Sequence, residues 1–291
     1  MNLDGLRPWG GLGVDGPGDV VVAGLPYDGS AVYRKGAAAA PERLRQLSAV
    51  MPPVTEEGTL LLDLRVQDAG DIDIGPDIAS GWQGAADRLA KIPPNVFLTT
   101  LGGDHCTSIA TLAAQARRHP GLSLLWIDAH PDLCDFSRGG RWTCGCALRR
   151  ALEVSGVEPE RVVVAGGRDY DPEELQFIRE SGILLISAAD IARDPHGAAD
   201  RIGARIAASK LQVSFDIDAL DPAFAPGTEI PSSGGLSTRQ ALELLRAAAR
   251  RSTFVGFEVV ELSPPLDYAD ISTFAALKLI FEVWGMVRGQ G

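Results

Sequence analysis

Short apolar runs rich in β-branched residues return along the chain at 20–23, 96–98, 122–127, 162–164, 183–186, 213–217 and 255–260. Stretches of helical character lie between them at 108–118, 146–155, 172–181, 198–209 and 238–251. Runs such as Val20-Val21-Val22-Ala23 and Val162-Val163-Val164 show no polar alternation, so they suit strands covered on both faces. This alternation restricts the chain to an α/β class, a three-layer α/β/α arrangement with a mainly parallel central sheet. The 291 residues, 45% of them hydrophobic, are enough to bury such a core. No internal repeat is visible. The longest Gly/Pro-rich stretch, 222–235, is flanked by renewed strand and helix signals and reads as a functional loop, not a linker, so residues 1–291 are expected to form a single domain. Ser237 with Gln240 three residues on reads as a capping box that opens the helix 238–251.

Three of the apolar runs lead into clusters of candidate metal ligands: Gly102-Gly103-Asp104-His105, Asp128-Ala129-His130-Pro131-Asp132 and Asp216-Ile217-Asp218. Alternate side chains of an extended segment share a face, so Asp128, His130 and Asp132 are expected to point one way, as are Asp216 and Asp218. Each set falls at the carboxyl end of an expected parallel strand, where open α/β sheets place their ligands. His105 arrives differently, through a tight turn that Gly102-Gly103 permit before a helix near Ser108. Asp104 is expected to support that turn or cap the helix. An isolated Asp-x-Asp is usually a turn, but three such clusters in order at strand ends describe a two-metal site. Asp128, Asp132, Asp216 and Asp218 would repel one another without cations, and a pair of divalent ions explains their convergence. Two imidazoles and four carboxylates form a hard, oxygen-rich set that favours two Mn2+. With a bridging hydroxide the centre carries about one net negative charge, which suits a cationic partner. Two metals lower the pKa of bound water, and hydrolysis is the implied reaction.

A net charge of −11 argues against a nucleic-acid or anionic-membrane surface. No apolar run reaches the length of a bilayer span, and Met1-Asn2-Leu3-Asp4-Gly5 lacks a secretory layout, so a cytoplasmic location is expected. The four cysteines, at 106, 134, 144 and 146, bunch around the proposed site and are read as free thiols.

These motifs together resemble the arginase and agmatinase family of ureohydrolases. The resemblance runs from Gly24-Leu25-Pro26-Tyr27-Asp28, with Arg34 and Gly36, through Asp68-Ala69-Gly70-Asp71 and the metal clusters to Gly167-Arg168. It continues in Ser214 to Pro222, Ala225-Pro226-Gly227-Thr228, Gly234-Gly235-Leu236-Ser237 and Glu261-Leu262-Ser263-Pro264, the Ala-Pro-Gly-Thr and Gly-Gly-Leu-Ser segments looking most like the agmatinase branch. The resemblance implies an arginase-like fold, a binuclear manganese centre, a homo-oligomer (trimer or hexamer) and hydrolysis of C–N bonds in linear amidines. One metal would be held by His105, Asp128, Asp132 and Asp216 and the other by His130, Asp128, Asp216 and Asp218. The counterpart of Asp132 hydrogen-bonds the hydroxide and passes a proton to the leaving amine, and the counterpart of Glu261 pairs with the guanidinium, whose planar N–H donors match a carboxylate.

The chain departs from the family at Trp142-Thr143-Cys144-Gly145-Cys146, where many members carry a His-Gly pair that shuttles protons. Cys144 takes that place, as a poor proton relay, a wall of the substrate pocket or an inert residue. Trp142 reads as packing or as a pocket wall. Of the remaining histidines, His119 and His196 read as solvated surface, as does the Arg149-Arg150 pair. The arginase residues that grip an α-amino acid are not recognisable in 133–141, which argues against free arginine as substrate. The leading reading is an agmatinase-like enzyme that converts agmatine to putrescine and urea. Alternatives are hydrolases like guanidinobutyrase, guanidinopropionase or formimidoylglutamase, a specialised-pathway amidinohydrolase acting on a larger guanidino compound, and a non-catalytic binding protein.

Overall fold

A computed structural model describes residues 5–290. Eight strands, β1 (Val20–Gly24), β2 (Val66–Asp71), β3 (Phe97–Leu101), β4 (Ser123–Ile127), β5 (Val162–Gly167), β6 (Leu184–Ser187), β7 (Lys210–Asp216) and β8 (Thr253–Val260), form one sheet in the order β2-β1-β3-β8-β7-β4-β5-β6. Every pairing is parallel. The helices are α1 (Ala40–Ser48), α2 (Ile78–Leu89), α3 (Thr107–Arg118), α4 (Ala147–Ser155), α5 (Pro172–Ser181), α6 (Ala188–Arg193), α7 (Pro195–Arg205), α8 (Thr238–Ala249) and α9 (Ile271–Arg288).

The unalternating apolar runs acquire their meaning in two separate cores, one on each face of the sheet. Val20, Val22, Leu125, Ile127, Val163 and Phe215 pack with Leu44, Ile202, Leu245 and Leu277 of α1, α7, α8 and α9. Their neighbours Val21, Ala23, Leu124, Trp126, Val162 and Val164 pack with Ile78, Ile109, Leu148 and Ile178 of α2 to α5. Since successive strand residues point to opposite faces, both sets must be apolar, and the three-layer expectation is met. The capping box at Ser237 and Gln240 opens α8 as the spacing predicts.

Five elements, β2, α1, α2, α6 and α9, fall outside the runs read from the sequence, two of them for a plain physical reason. Strand β2, with residues Val66, Gln67, Asp68, Ala69, Gly70 and Asp71, buries only Val66 and pairs with β1 alone, so it is a polar edge strand of the kind that discourages pairing with other chains. Helix α9 is apolar on nearly all sides because it is wedged against β8, α1 and α8, which erases the stripe that marks a surface helix. Among the described residues no helix is long and apolar enough to cross a membrane.

Candidate metal centre

Sheet order decides where the site can be. β3, β8, β7 and β4 are consecutive neighbours, so their carboxyl ends share one edge. That edge carries His105 beyond β3, Glu261 directly after β8, Asp216 at the end of β7 and Asp128 directly after β4. A cavity of about 400 Å³ lies at the opposite edge beside Val20, Phe97 and Thr253 and holds none of the candidate residues.

All six candidate ligands converge in two groups. Nδ1 of His105 lies 3.0 Å from Asp128 Oδ2, 3.2 Å from Asp132 Oδ2 and 3.0 Å from Asp216 Oδ2. Nδ1 of His130 lies 3.1 Å from Asp218 Oδ2 and 3.6 Å from Asp128 Oδ1. Asp128 thus addresses both groups, one oxygen to each. Asp216 meets the first group through Oδ2, while its Oδ1 accepts the amide N–H of Asp218, a member of the second, at 2.7 Å.

The backbone brings these side chains together by turns, which corrects the expectation of extended segments. β4 ends at Ile127, and the carboxylate of Asp128 accepts the next unpaired amide, His130 N–H, at 2.7 Å, while Asp132 adopts φ 55°. Beyond β7, Ile217–Ala219 winds into a 3-10 turn capped by Asp216. Past the last ladder bond no partner strand remains to hold the chain straight, and the carboxylates satisfy the freed amides instead. Gly103 is needed for proximity, not for a tight turn: a Cβ there would stand 1.8 Å from the carbonyl oxygen of Tyr27. Asp104 is buried and accepts from Ser30 N–H (2.9 Å), Ser30 Oγ–H (2.6 Å) and Cys106 N–H (3.1 Å), the supporting role expected of it.

The donor set fits divalent cations. His105 Nδ1 is buried without a hydrogen-bond partner although three carboxylate oxygens surround it, an arrangement that needs a positive charge at its centre. Its other nitrogen, Nε2, meets Ser214 Oγ at 2.9 Å, and donating there leaves the Nδ1 lone pair free to ligate. The indole of Trp126 stacks on the His105 ring (centroids 3.8 Å apart, 4° between planes) and donates to Asp128 Oδ2 at 2.9 Å.

Titration behaviour expresses the same crowding. Burial and then the neighbouring Asp128 charge push the Asp132 carboxyl up to about 8. Burial, then Asp218 and Asp128, drive Asp216 well above the carboxylate range. Burial would also raise Asp128, but His105 and His130 hold it below its ordinary value. Both imidazoles are raised by the carboxylates around them, against burial. Divalent cations held here would relieve this competition for protons.

Glu261, at φ 60°, accepts His105 N–H through Oε1 at 2.7 Å. Its Oε2 is buried and unpartnered, and the side chain lines a small cavity of about 30 Å³ with Asp132, Asp216, Asp218, Cys144 and Glu229. A neighbouring cavity of about 340 Å³ shares His130, Asp132, Cys144 and Ile230 with it and adds Arg138, Asp169 and Tyr170. The loop 222–235 supplies Thr228, Glu229 and Ile230 to these walls, as its reading as a functional loop anticipates.

Cys144 lines both cavities, 3.4 Å from the Ser30 carbonyl oxygen. Burial and then the charges of Glu261 and Asp104 push its thiol far up, so at neutral pH it stays protonated and relays protons poorly. Trp142 lines neither cavity; it packs against the α2–α5 core, the packing alternative of its two readings. His119 and Arg150 are buried, not solvated: His119 closes the end of α3, and Arg150 reaches Asp135 and Glu153 at 2.8 Å each. His196 is exposed, as expected.

Ser214, Trp126, Ser30 and Glu229 escape sequence reasoning. Ser214 and Trp126 sit inside apolar strand runs where they read as packing, and a polar residue mid-strand beside a ligand cluster is the signal that could have exposed Ser214. Arg168, visible only as part of a motif, donates to the carbonyl oxygens of Asp218 (2.6 Å) and Ser232 (2.8 Å) and ties the β7 turn to the loop 222–235.

A model of the Arginase family matches residues 18–285. A proclavaminate amidinohydrolase from Streptomyces clavuligerus is 35% identical over 272 residues, covering 91% of this chain and 87% of its own. A guanidinopropionase from Pseudomonas aeruginosa is 34% identical, covering 91% and 85%. The solved structure of the Streptomyces clavuligerus enzyme superposes with a TM-score of 0.88 at 31% identity and covers 99% of both chains.

Proposed function

From membership of the arginase family, to which this chain belongs, we propose that it hydrolyses a guanidino C–N bond to urea and an amine at a pair of Mn2+ ions. His105, Asp128, Asp132 and Asp216 would hold one ion, and His130, Asp128, Asp216 and Asp218 the other. The observation that carries the reading is the unpartnered His105 Nδ1 among three carboxylate oxygens. When bound, the ions supply Lewis acidity and a water of lowered pKa.

The protein groups do the rest. The free Oε2 of Glu261 accepts N–H groups of the guanidinium and orients its central carbon toward the ligand groups. Asp132, at the junction of the two cavities, takes a proton from the attacking water through Oδ1, the oxygen not turned to His105, and returns it to the leaving nitrogen as the C–N bond breaks. Cys144 stays a protonated wall.

The substrate's far end lies in the larger cavity. Asp169 there, with the acidic balance of the whole chain, favours the distal ammonium of agmatine, released as putrescine. A second reading, a linear guanidino acid, is favoured by Arg138 in the same wall and by the likeness to the guanidinopropionase. The site works on a small cationic guanidino compound in the cytoplasm, in a homo-oligomer. Urea release from agmatine, 4-guanidinobutyrate, 3-guanidinopropionate and arginine by Mn2+-loaded protein, with metal content measured in parallel, tests the assignment. Turnover of agmatine alone supports the first reading, and turnover of an acid alone the second. Two bound metals with no urea from any compound refute both, and a protein that binds no metal refutes the two-metal centre.

A further inference from the structure

A second buried carboxylate faces the small cavity beside Glu261. Glu229 is 4% exposed and stands on the loop 222–235. Its Oε1 accepts the backbone N–H groups of Tyr33 and Arg34. Arg34 in return donates to the Glu229 carbonyl oxygen through Nε (3.0 Å) and Nη2 (2.7 Å), so side chain and backbone are both clamped. Oε2 is left over: its partner is the Cys144 thiol at 3.9 Å, too long for a strong bond. Glu261 Oε2, on the same cavity, is buried with no partner. One oxygen of each carboxylate and the Cys144 sulfur lie within 4.8 Å of one another.

Two buried carboxylates aimed into one cavity are costly unless a cation lies between them. An alkylguanidinium provides five N–H donors in a plane, and free guanidinium six, enough to satisfy both carboxylates at once. Resting on the amidinohydrolase reading, we propose that Glu229 is a specificity-determining residue of this site, a second carboxylate that closes on the guanidinium together with Glu261. Glu261 orients the guanidinium toward the ligand groups, and Glu229 selects for positive charge. The site therefore takes cationic guanidines and excludes neutral ureido analogues of the same shape.

The test is calorimetric titration of guanidinium chloride into the Mn2+-loaded protein, with sodium chloride at matched ionic strength as control, for wild type, Glu229→Gln and Glu229→Asp. Metal content and melting temperature are recorded for each. Expected results are that wild type binds guanidinium, Glu229→Gln weakens binding about 10- to 100-fold with metal content unchanged, and Glu229→Asp, which keeps the charge, recovers part of the loss. On whichever guanidino substrate turns over, KM rises in Glu229→Gln by a similar factor while kcat changes little. Equal guanidinium affinity in wild type and Glu229→Gln overturns the proposal. So does a metal count that falls from three to two in the variant, which would make the cluster a third metal site. Because binding is read without turnover, a protein that releases no urea yet binds guanidinium through Glu229 separates this inference from the reading it rests on.

Discussion

Replacing Ser214 by alanine removes the acceptor 2.9 Å from His105 Nε2 and leaves a buried imidazole N–H without a partner. The cost falls on the tautomer that ligates, since a proton moved to Nδ1 occupies the lone pair directed at Asp128, Asp132 and Asp216. A buried donor left unsatisfied costs about 1–3 kcal/mol, and each ~1.4 kcal/mol is a factor of ten in affinity. Mn2+ affinity at the His105 group is therefore expected to fall about 5- to 150-fold, in line with the ~10–100-fold effects of groups that orient metal-ligating histidines. The neighbouring Ser108 Oγ, 3.3 Å from Ser214 Oγ, limits the loss if it moves in. The assay is calorimetric titration of metal-free protein with Mn2+, resolved into two sites, with thermal melts of both metal-free proteins as a folding control. The signature is one weakened site and one unchanged site, because His130 and Asp218 do not touch Ser214. Two unchanged sites in a folded variant would refute the reasoning, and equal weakening of both would show that the two groups do not act separately.

Asp132→Asn keeps a ligand-like oxygen but cannot shuttle a proton; turnover is expected to fall by at least ~10²-fold, a typical loss for a positioned acid–base group, with metal content reduced at most partly. Cys144→Ala is expected to leave turnover within several-fold, and abolition of turnover at full metal content would show that the thiol does more than line the pocket. Arg138→Ala is expected to raise KM for guanidino acids and not for agmatine, and equal KM changes for both would remove Arg138 from substrate discrimination. His119, lowered to about 4 by burial and then by Arg118 and Lys210, is neutral in the fold. The unfolded chain then binds more protons than the native state between pH 4 and 6.5, so stability rises with pH across that window. Denaturant melts should show this slope flattened in His119→Gln, and an identical slope in both proteins would refute it.

The fold class was legible because strands covered on both faces leave a plain trace, and the convergence of the six candidate ligands was legible because they cluster at strand ends. Other features were hidden for stated physical reasons. The turns after β4 and β7 form because Asp128 and Asp216 accept the backbone amides two residues on, which spacing rules for extended chain do not encode. His119 and Arg150 read as surface because charged residues usually are, yet α3 and α4 bury them together with the apolar faces of those helices. Ser214 and Glu229 act on groups more than a hundred residues away, His105 and Tyr33, and local pattern carries no trace of such pairing.

The position of β8 has a consequence for how the protein is made. This strand, from the last part of the chain, lies between β3 and β7 and joins the block β2-β1-β3 to the block β7-β4-β5-β6. Before it inserts, His105 belongs to one block and the other five ligands to the second. A growing chain that already contains every ligand thus holds an incomplete centre until residues 253–260 leave the ribosome and seat themselves in the middle of the sheet. Metal uptake is therefore expected as a late step in biogenesis, and divalent-metal binding during refolding is expected to mark the joining of the two blocks.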